Sequence, residues 1–159
     1  MLGVSQVLTI GGEVLKHQNM VLRKNYIYID GNAWVEKAPY SGETEIRSLC
    51  ILNNKLYGVT IPNGKLYEWN GVNAWVEKAP KLGTETSIFS LCVYNGKLYG
   101  GTYPNGKLYE WNGVNAWVEK APTLGAETYI YSLCVYNGKL YGGTAGNGKL
   151  YEWNGILKP

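Results

Sequence analysis

The chain repeats one segment of 42 residues, and this repeat constrains the fold more than any single motif does. Residues 71–112 and 113–154 are identical at 36 of 42 positions. Residues 31–70 form a third copy that is two residues shorter. A fixed period of about 40 residues is typical of solenoids, arrays and propellers, in which each repeat buries its apolar surface against the next repeat.

The sequence of one copy predicts four short antiparallel strands, which we call A to D. In the second copy, segments 86–94 and 97–103 are rich in β-branched and aromatic residues, and they flank an Asn-Gly dipeptide that favours a two-residue hairpin turn. Segments 107–111 and 115–120 supply the third and fourth strands. The copy lacks the 3.6-residue apolar period of a helix, so we expect an all-β meander.

A lone four-stranded sheet with large apolar residues on both faces cannot bury them, so we expect the copies to stack face to face around an axis, as in a β-propeller. The stretches Ser-Leu-Cys-Val-Tyr-Asn-Gly-Lys-Leu-Tyr-Gly-Gly-Thr, Lys-Leu-Tyr-Glu-Trp-Asn-Gly and Asn-Ala-Trp resemble a kelch-type blade. The resemblance covers residues 31–154 and implies an architecture rather than a ligand. The copies depart from the kelch pattern in being short, and the first copy has Gly58-Val59 in place of the Gly-Gly pair.

The sequence thus predicts an all-β protein: a β-propeller of four-stranded antiparallel blades, with three clear repeats and one diverged N-terminal blade. The repeats occupy residues 31–70, 71–112 and 113–154 of a region that extends with a short tail to residue 159. Residues 1–30 do not match the repeat by eye. Two interpretations of them stay open: a worn blade, or a β-hairpin extension that anchors the protein elsewhere.

The last copy contains strands A to C without a fourth strand, so closure of the ring is incomplete in the sequence. Either four blades close as a small propeller with a ragged last blade, or chains associate to complete a larger ring. An uncovered blade face and an unpaired strand edge both favour association. We therefore expect self-association.

Charge and hydropathy argue against two classes of partner. The net charge is +3, and Lys and Glu alternate through every copy without a concentrated basic face, so nucleic-acid binding is not expected. Residues 1–12 lack the basic start of a signal peptide, and no stretch approaches the 18 apolar residues of a membrane span. We expect no membrane insertion and a location in the cytoplasm or in a virus particle.

The potential metal ligands and catalytic groups of the sequence do not form a recognisable site. Cys50, Cys92 and Cys134 occupy one equivalent place in strand A, without Cys-x-x-Cys spacing, and we predict that they are small buried core residues rather than disulfides or metal ligands. The only histidine, His17, has no partner motif. The carboxylates recur in pairs that we expect to bind neighbouring lysines: Glu77 and Glu119, Glu85 and Glu127, Glu110 and Glu152.

Catalytic pairs normally occupy one unique place, and no nucleophile elbow, phosphate-binding loop or metal signature occurs in the sequence. We therefore predict that the protein is not an enzyme and uses no cofactor and no metal. The repeated tryptophans have two interpretations, packing between blades or platforms for sugars, and the sequence leaves both open: Trp75, Trp111, Trp117 and Trp153.

The positions at which the copies disagree carry the functional prediction. The second and third copies differ at Lys81/Thr123, Thr84/Ala126, Ser87/Tyr129, Phe89/Tyr131, Tyr103/Ala145 and Pro104/Gly146. In an antiparallel meander the D-to-A loop and the B-to-C turn emerge at the same end, so these differences fall on one rim. An alternative interpretation of these differences is neutral drift at an end of the blades where the loops tolerate substitution. The predicted ligand-binding residues are Glu45, Arg47, Ile61, Lys81, Ser87, Phe89, Tyr103, Tyr129 and Tyr131.

The favoured function is a non-enzymatic recognition module that presents one loop-rich propeller face to a glycan or protein partner. Aromatic side chains suit both partners, because they cover sugar C–H surface and also anchor protein contacts. The alternative is a structural assembly protein, such as a virion decoration or tail component, with the N-terminal segment as its anchor.

Overall fold

A computed structural model describes residues 8–10, 13–15, 20–23, 26–29, 34–38 and 42–155 of the chain. The chain divides into two units, residues 1–36 and 37–159. The strands of the first unit are β1 (Leu8–Ile10), β2 (Glu13–Leu15), β3 (Met20–Arg23) and β4 (Tyr26–Ile29). They form two separate antiparallel hairpins, β1 with β2 and β3 with β4. Whether residues 1–30 act as a worn blade or an anchor stays a prediction, and His17 lies outside the described residues.

The second unit consists of three consecutive antiparallel meanders. The first contains β5 (Glu45–Leu52), β6 (Lys55–Ile61), β7 (Leu66–Trp69) and β8 (Trp75–Ala79); the second contains β9 (Ser87–Tyr94), β10 (Lys97–Tyr103), β11 (Leu108–Trp111) and β12 (Trp117–Ala121); the third contains β13 (Ile130–Tyr136), β14 (Lys139–Thr144) and β15 (Leu150–Trp153). We call these sheets the first, second and third blades. The predicted order of strands A to D is confirmed in the first two blades.

The blades pack face to face along their first strands. Strand β9 contacts both β5 and β13, while β6 contacts β9 and β10 contacts β13. Stacked four-stranded meanders of this kind are the blades of a β-propeller, so the predicted all-β propeller class is confirmed. The kelch-like assignment in particular stays a prediction. The described part of the chain contains no helix that is long and apolar enough to cross a membrane.

The core lies between the blades and repeats with the sequence. Between the first and second blades, Leu66 and Ile88 are fully buried. Between the second and third blades, their equivalents Leu108 and Ile130 take the same places. The same apolar contact therefore recurs between neighbouring blades, and the described core residues of the three blades lie in the clusters between them.

The Gly-Gly pair of the second blade permits this close approach. A Cβ atom on Gly101 would lie 2.5 Å from Cγ2 of Ile130, which is closer than van der Waals contact allows. The first blade carries Val59 at the equivalent position, and Val59 is fully buried in the same cluster as Ile88. The missing glycine of the first copy is thus compensated by a side chain that fills the space between blades.

One hydrogen-bonded pair per blade fixes the loop end of the meander. In each blade a buried glutamate of the D-to-A loop accepts a hydrogen bond from an asparagine amide of the B-to-C turn: Glu43 from Asn63, Glu85 from Asn105, and Glu127 from Asn147. The loop and the turn therefore lie at the same end, as the meander predicts. The sequence predicted that Glu85 and Glu127 each bind a neighbouring lysine. The described partner of Glu85 is instead Asn105, whereas Glu127 pairs with Lys149 at 3.0 Å as well as with Asn147.

The cysteines differ in exposure although their sequence positions are equivalent. Cys50 and Cys92 are half-buried, and burial raises the pKa of both thiols. Cys134 is exposed, so the expectation of three buried thiols is wrong for this residue. The reason is that Cys50 and Cys92 lie on faces covered by the next blade, whereas Cys134 lies on the far face of the third blade.

Trp117 provides a test of packing between blades. Its indole is buried in the cluster between the first and second blades and lies above Gly100, where a Cβ atom would be 3.3 Å from the ring. Trp117→Ala should lower the free energy of unfolding by about 3–5 kcal/mol, the usual cost of deleting a core aromatic. Val114→Ala, at an exposed turn position, should change it by less than about 0.5 kcal/mol in the same urea titration. Equal stabilities would contradict the packing role.

The order of thiol modification tests the exposure of the three cysteines. In dilute solution, Cys134 should react with a thiol reagent first, because its sulfur is accessible, whereas Cys50 and Cys92 are partly covered and less readily ionised. Mass spectrometry of peptides after brief labelling would measure this order. Preferential labelling of Cys92 would show that the second and third blades do not pack as described.

Candidate recognition site

Each blade has a β-bulge near the start of its first strand. The pairing with the second strand shifts by one residue there, which leaves Arg47, Phe89 and Tyr131 without a cross-strand partner in β5, β9 and β13 respectively. A bulge bends the strand and re-aims the side chain of the extra residue, and bulges are common beside functional sites. Three equivalent bulges therefore direct three different side chains to one end of neighbouring blades.

Phe89 lies at the centre of the side chains that these bulges bring together. Its ring makes edge contacts with Tyr103 at 6.0 Å and Tyr129 at 5.2 Å between centroids, and a tilted contact with Tyr131 at 5.5 Å. Tyr103 and Tyr129 stack on each other at 4.2 Å. We call Arg47, Phe89, Tyr103, Tyr129 and Tyr131 the rim cluster. All three blades contribute to it.

Arg47 supplies the positive charge of the rim cluster. Its guanidinium carbon lies 4.6 Å above the Phe89 ring and 5.5 Å from the Tyr131 ring, distances typical of cation–π contacts. Its Nη2 donates a hydrogen bond of 2.9 Å to the Tyr131 hydroxyl. Glu45 forms an exposed ion pair with Arg47 at 3.5 Å and partly neutralises it. The cluster is thus an aromatic surface with one tethered cation.

Six of the nine predicted residues make direct side-chain contacts with one another, namely the rim cluster and Glu45, whereas the other three make none of the described side-chain contacts with them. Ser87 is only 4% exposed, so its hydroxyl is not presented at the surface of the second blade. Ile61 pairs with Glu45 across the sheet but makes no ring contact with the rim cluster among the described residues. Lys81 is exposed in the D-to-A loop, and its side chain makes none of the described contacts with the cluster.

Sequence reasoning found the positions of the rim cluster but missed the bulges that create it. The bulge residues are Arg, Phe and Tyr, and none of them is the glycine that signals one common type of bulge. The only sequence signal is their variability among otherwise constant copies. The contact between Arg47 and Tyr131, which are 84 residues apart, depends on the spacing of the first and third blades and has no local signal.

A second polar arrangement recurs in every blade and is explained by the scaffold. Tyr99 donates a 2.6 Å hydrogen bond to Glu110, which also binds Lys97 and Lys120. Burial, aided by the carboxylate, raises the pKa of Tyr99. Burial tends to raise the pKa of Glu110, but its hydrogen bonds from Tyr99 and Lys97 outweigh this and leave it lowered. The proton therefore stays on the phenol, and the group is a structural crosslink.

The same crosslink appears in the other two blades: Tyr57 with Glu68, and Tyr141 with Glu152. Burial raises the pKa of Tyr57 to about 12, with help from Glu68. Among the described residues, no group of three or more His, Cys, Asp or Glu side chains is arranged to hold a metal ion.

Comparisons with known proteins add the following findings. No protein-family model matches the sequence, and no curated protein matches it. Among solved structures, the chain is similar to the WD40 β-propeller domain of Doa1, with 14% sequence identity and a TM-score of 0.49. The match covers 67% of this chain and 36% of that one, so the chain spans about a third of the length of the structure it matches. The propeller architecture follows from the topology and packing of the blades described above.

The positions of Phe89 and Tyr131 in the rim cluster predict different losses of stability when each ring is removed. Phe89→Ala removes a half-buried ring that contacts four neighbours, so it should lower the free energy of unfolding by about 1–3 kcal/mol. Tyr131→Ala, at a position that is half exposed, should cost less than about 1 kcal/mol. Thermal and urea unfolding of the two variants would measure this. A larger loss for Tyr131→Ala would contradict the central position of Phe89.

Proposed function

We propose that the blades form a non-enzymatic recognition module, in which the rim cluster receives a protein partner. The observation that carries this proposal is the convergence of Arg47, Phe89 and Tyr131 from three bulges. These equivalent positions hold three different residues, although the second and third copies are otherwise nearly identical. A constant scaffold that displays varied side chains at one end is the usual arrangement of a binding surface.

The contacts within the rim cluster favour a protein over a glycan. A sugar platform needs an open ring face, but one face of Phe89 is covered by the guanidinium of Arg47, and Tyr103 and Tyr129 cover each other. A contiguous patch of Tyr, Phe and Arg is instead typical of the energetic centre of protein interfaces. Binding of a glycan is the competing outcome of the test below.

The charges of the rim predict the character of the partner segment. Arg47 is already paired with Glu45, yet both side chains remain partly exposed, so an acidic group of the partner would compete with Glu45 for the guanidinium. The tyrosine hydroxyls provide further donors around an apolar centre. We therefore infer a partner segment that combines apolar side chains with at least one carboxylate.

A structural building block is the second candidate function. It is favoured by a different observation: apolar residues are exposed on the outer faces of both the first and third blades, for example Leu49 and Leu150. Such faces suit repeated assembly rather than capture of a ligand at the rim. The two functions are compatible, because they use different surfaces, and neither includes a catalytic step.

The recognition proposal is tested by comparing captured proteins and bound glycans among three immobilised chains. The wild type and Lys97→Ala should retain the same partner, whereas Tyr131→Ala should lose it. Removing an aromatic anchor typically costs about 2 kcal/mol or more of binding, which is roughly a 30-fold weaker affinity. Lys97 lies at the opposite end of the blade, next to the turn that joins β9 and β10, where it pairs with the carboxylate of Glu110 at 2.9 Å.

A glycan array probed with the same three chains separates the two classes of ligand. Selective binding of an acidic glycan that is lost in Tyr131→Ala would replace the protein partner with a sugar. Loss of binding in Lys97→Ala but not in Tyr131→Ala would place recognition at the opposite end and contradict the proposal.

A further inference from the structure

The first blade exposes a face that its equivalents bury. Ile46 and Leu49 are 45% and 55% exposed, whereas the equivalent Ile88 and Leu91 of the second blade are 0% and 7% exposed. The second blade is covered because it packs on the first blade. The first blade thus exposes the apolar side chains that, in the second blade, pack against a neighbouring blade.

The third blade exposes the complementary face. Leu150 is 72% exposed, whereas the equivalent Leu108 of the second blade is 3% exposed. Tyr136 and Cys134 on the same face are also exposed. The two ends of the stack are therefore the two halves of the contact that joins the blades inside the chain.

A cavity of about 360 Å³ lies between the second and third blades and leaves room for a further side chain. It is lined by Leu108, Leu124, Ile130, Leu140, Gly142 and Trp153. The residues 42 positions earlier surround the buried indole of Trp117 between the first and second blades. The cavity is thus the place of a fourth-strand tryptophan. The repeat does not supply it there, because Pro159 stands 42 residues after Trp117.

The chain carries a fourth-strand sequence that the described sheets do not use. Residues 32–39 read Asn-Ala-Trp-Val-Glu-Lys-Ala-Pro, identical to residues 73–80 and 115–122, which contain β8 and β12. Residues 34–37 are not in a strand, and Trp34 is fully exposed. We call residues 32–39 the donor segment.

We propose that a second copy of this chain docks head to tail on the third blade and that its donor segment adds to β15 as the missing fourth strand, with Trp34 filling the cavity. Inside the chain, the fourth strand of each blade leads directly into the first strand of the next blade, as β12 leads into β13. The donor segment leads in the same way into β5. A single docked copy therefore fills the cavity with its donor segment and covers the third blade with its first blade.

The pairing inside the second blade predicts the register of the added strand. There, Trp111 lies opposite Trp117 and Glu110 lies opposite Val118. By the 42-residue equivalence, Trp153 should lie opposite the second copy's Trp34, and Glu152 opposite its Val35. The ion pair between Lys120 and Glu110 predicts a further one between the second copy's Lys37 and Glu152.

A head-to-tail contact uses two different surfaces, so it either closes into a ring or continues as a filament. Propellers contain roughly four to eight blades, and the six blades of two second units fall within that range. The proposal is argued from the blade faces and the cavity rather than from the recognition function, and its test variants leave the five rim-cluster residues unchanged. Failure of one test therefore leaves the other unaffected.

Two variants that block opposite faces give the decisive experiment. Leu49→Lys places a charge on the first-blade face, and Leu150→Lys places one on the third-blade face; both positions are exposed, so the separate chains should fold. In analytical ultracentrifugation, the wild type should form oligomers, and each variant alone should be a monomer. An equal mixture should form a 1:1 complex, because one contact between unmodified faces remains. Val114→Lys, at an exposed turn, should assemble like the wild type.

A cross-link tests the donor segment itself. Oxidation of a mixture of Val35→Cys chains with Glu152→Cys chains should give a disulfide-linked dimer, because directly opposed residues of paired strands are close enough for a disulfide. Either variant alone, and a mixture in which Val72→Cys replaces Val35→Cys, should not give this product. Tryptic peptide mapping would identify the new bond and distinguish it from bonds of the native cysteines.

Three results would overturn the proposal. A wild-type chain that stays monomeric at high concentration would show that the faces do not associate. Single variants that still assemble would show that another surface joins the copies. A cross-link that forms within one chain of the Val35→Cys and Glu152→Cys double variant at high dilution would show that the donor segment completes its own chain rather than a second copy.

Discussion

The burial of one apolar sheet face against the next blade is the interaction on which the rest of this structure depends. A single meander exposes large side chains on both faces, and burial of such surface contributes roughly 25 cal/mol per Å². Ile88 and Ile130 are buried only because a neighbouring blade lies against each of them. The Glu–Asn pairs and the Tyr–Glu crosslinks then fix the ends and edges of blades that this contact has already aligned.

The same constraint explains why the rim cluster lies at one end of the blades. Positions between blades are required to fit the facing blade: Val59 fits between the first and second blades, whereas a Cβ on the equivalent Gly101 would collide with Ile130. The bulge residues escape this requirement because they have no partner across the sheet. Arg47, Phe89 and Tyr131 can therefore differ without disturbing the stack, and the converging strands bring them within contact distance.

The sequence predicted the features that repeat in every copy. It did not predict the features that depend on which blade lies next to a residue. Strand positions, turns and the common end of the variable loops follow from residues within one copy, and the structure confirms the strands to within one or two residues in the second unit. Ser87 was predicted at the surface but is buried, because the B-to-C turn of the first blade lies against it: a Cβ on Gly64 would be 3.4 Å from the Cα of Ser87. Cys134 was predicted in the core but is exposed. Neither outcome has a local signal.

Cys134 and Leu150 show why identical sequence does not fix burial. They occupy the same places in their repeat as Cys92 and Leu108, and the surrounding residues are nearly the same, yet both are exposed. Burial in this protein is a property of a pair of blades, and among the three described blades the first and the third each have one face without a neighbouring blade of that set. Apolar residues that are buried in one blade but exposed at the equivalent position of another support the proposal that copies of the chain dock on each other. The cavity beside Gly142 adds to this, because a strand with the register of the donor segment would place the indole of Trp34 there, as β12 places that of Trp117 beside Gly100.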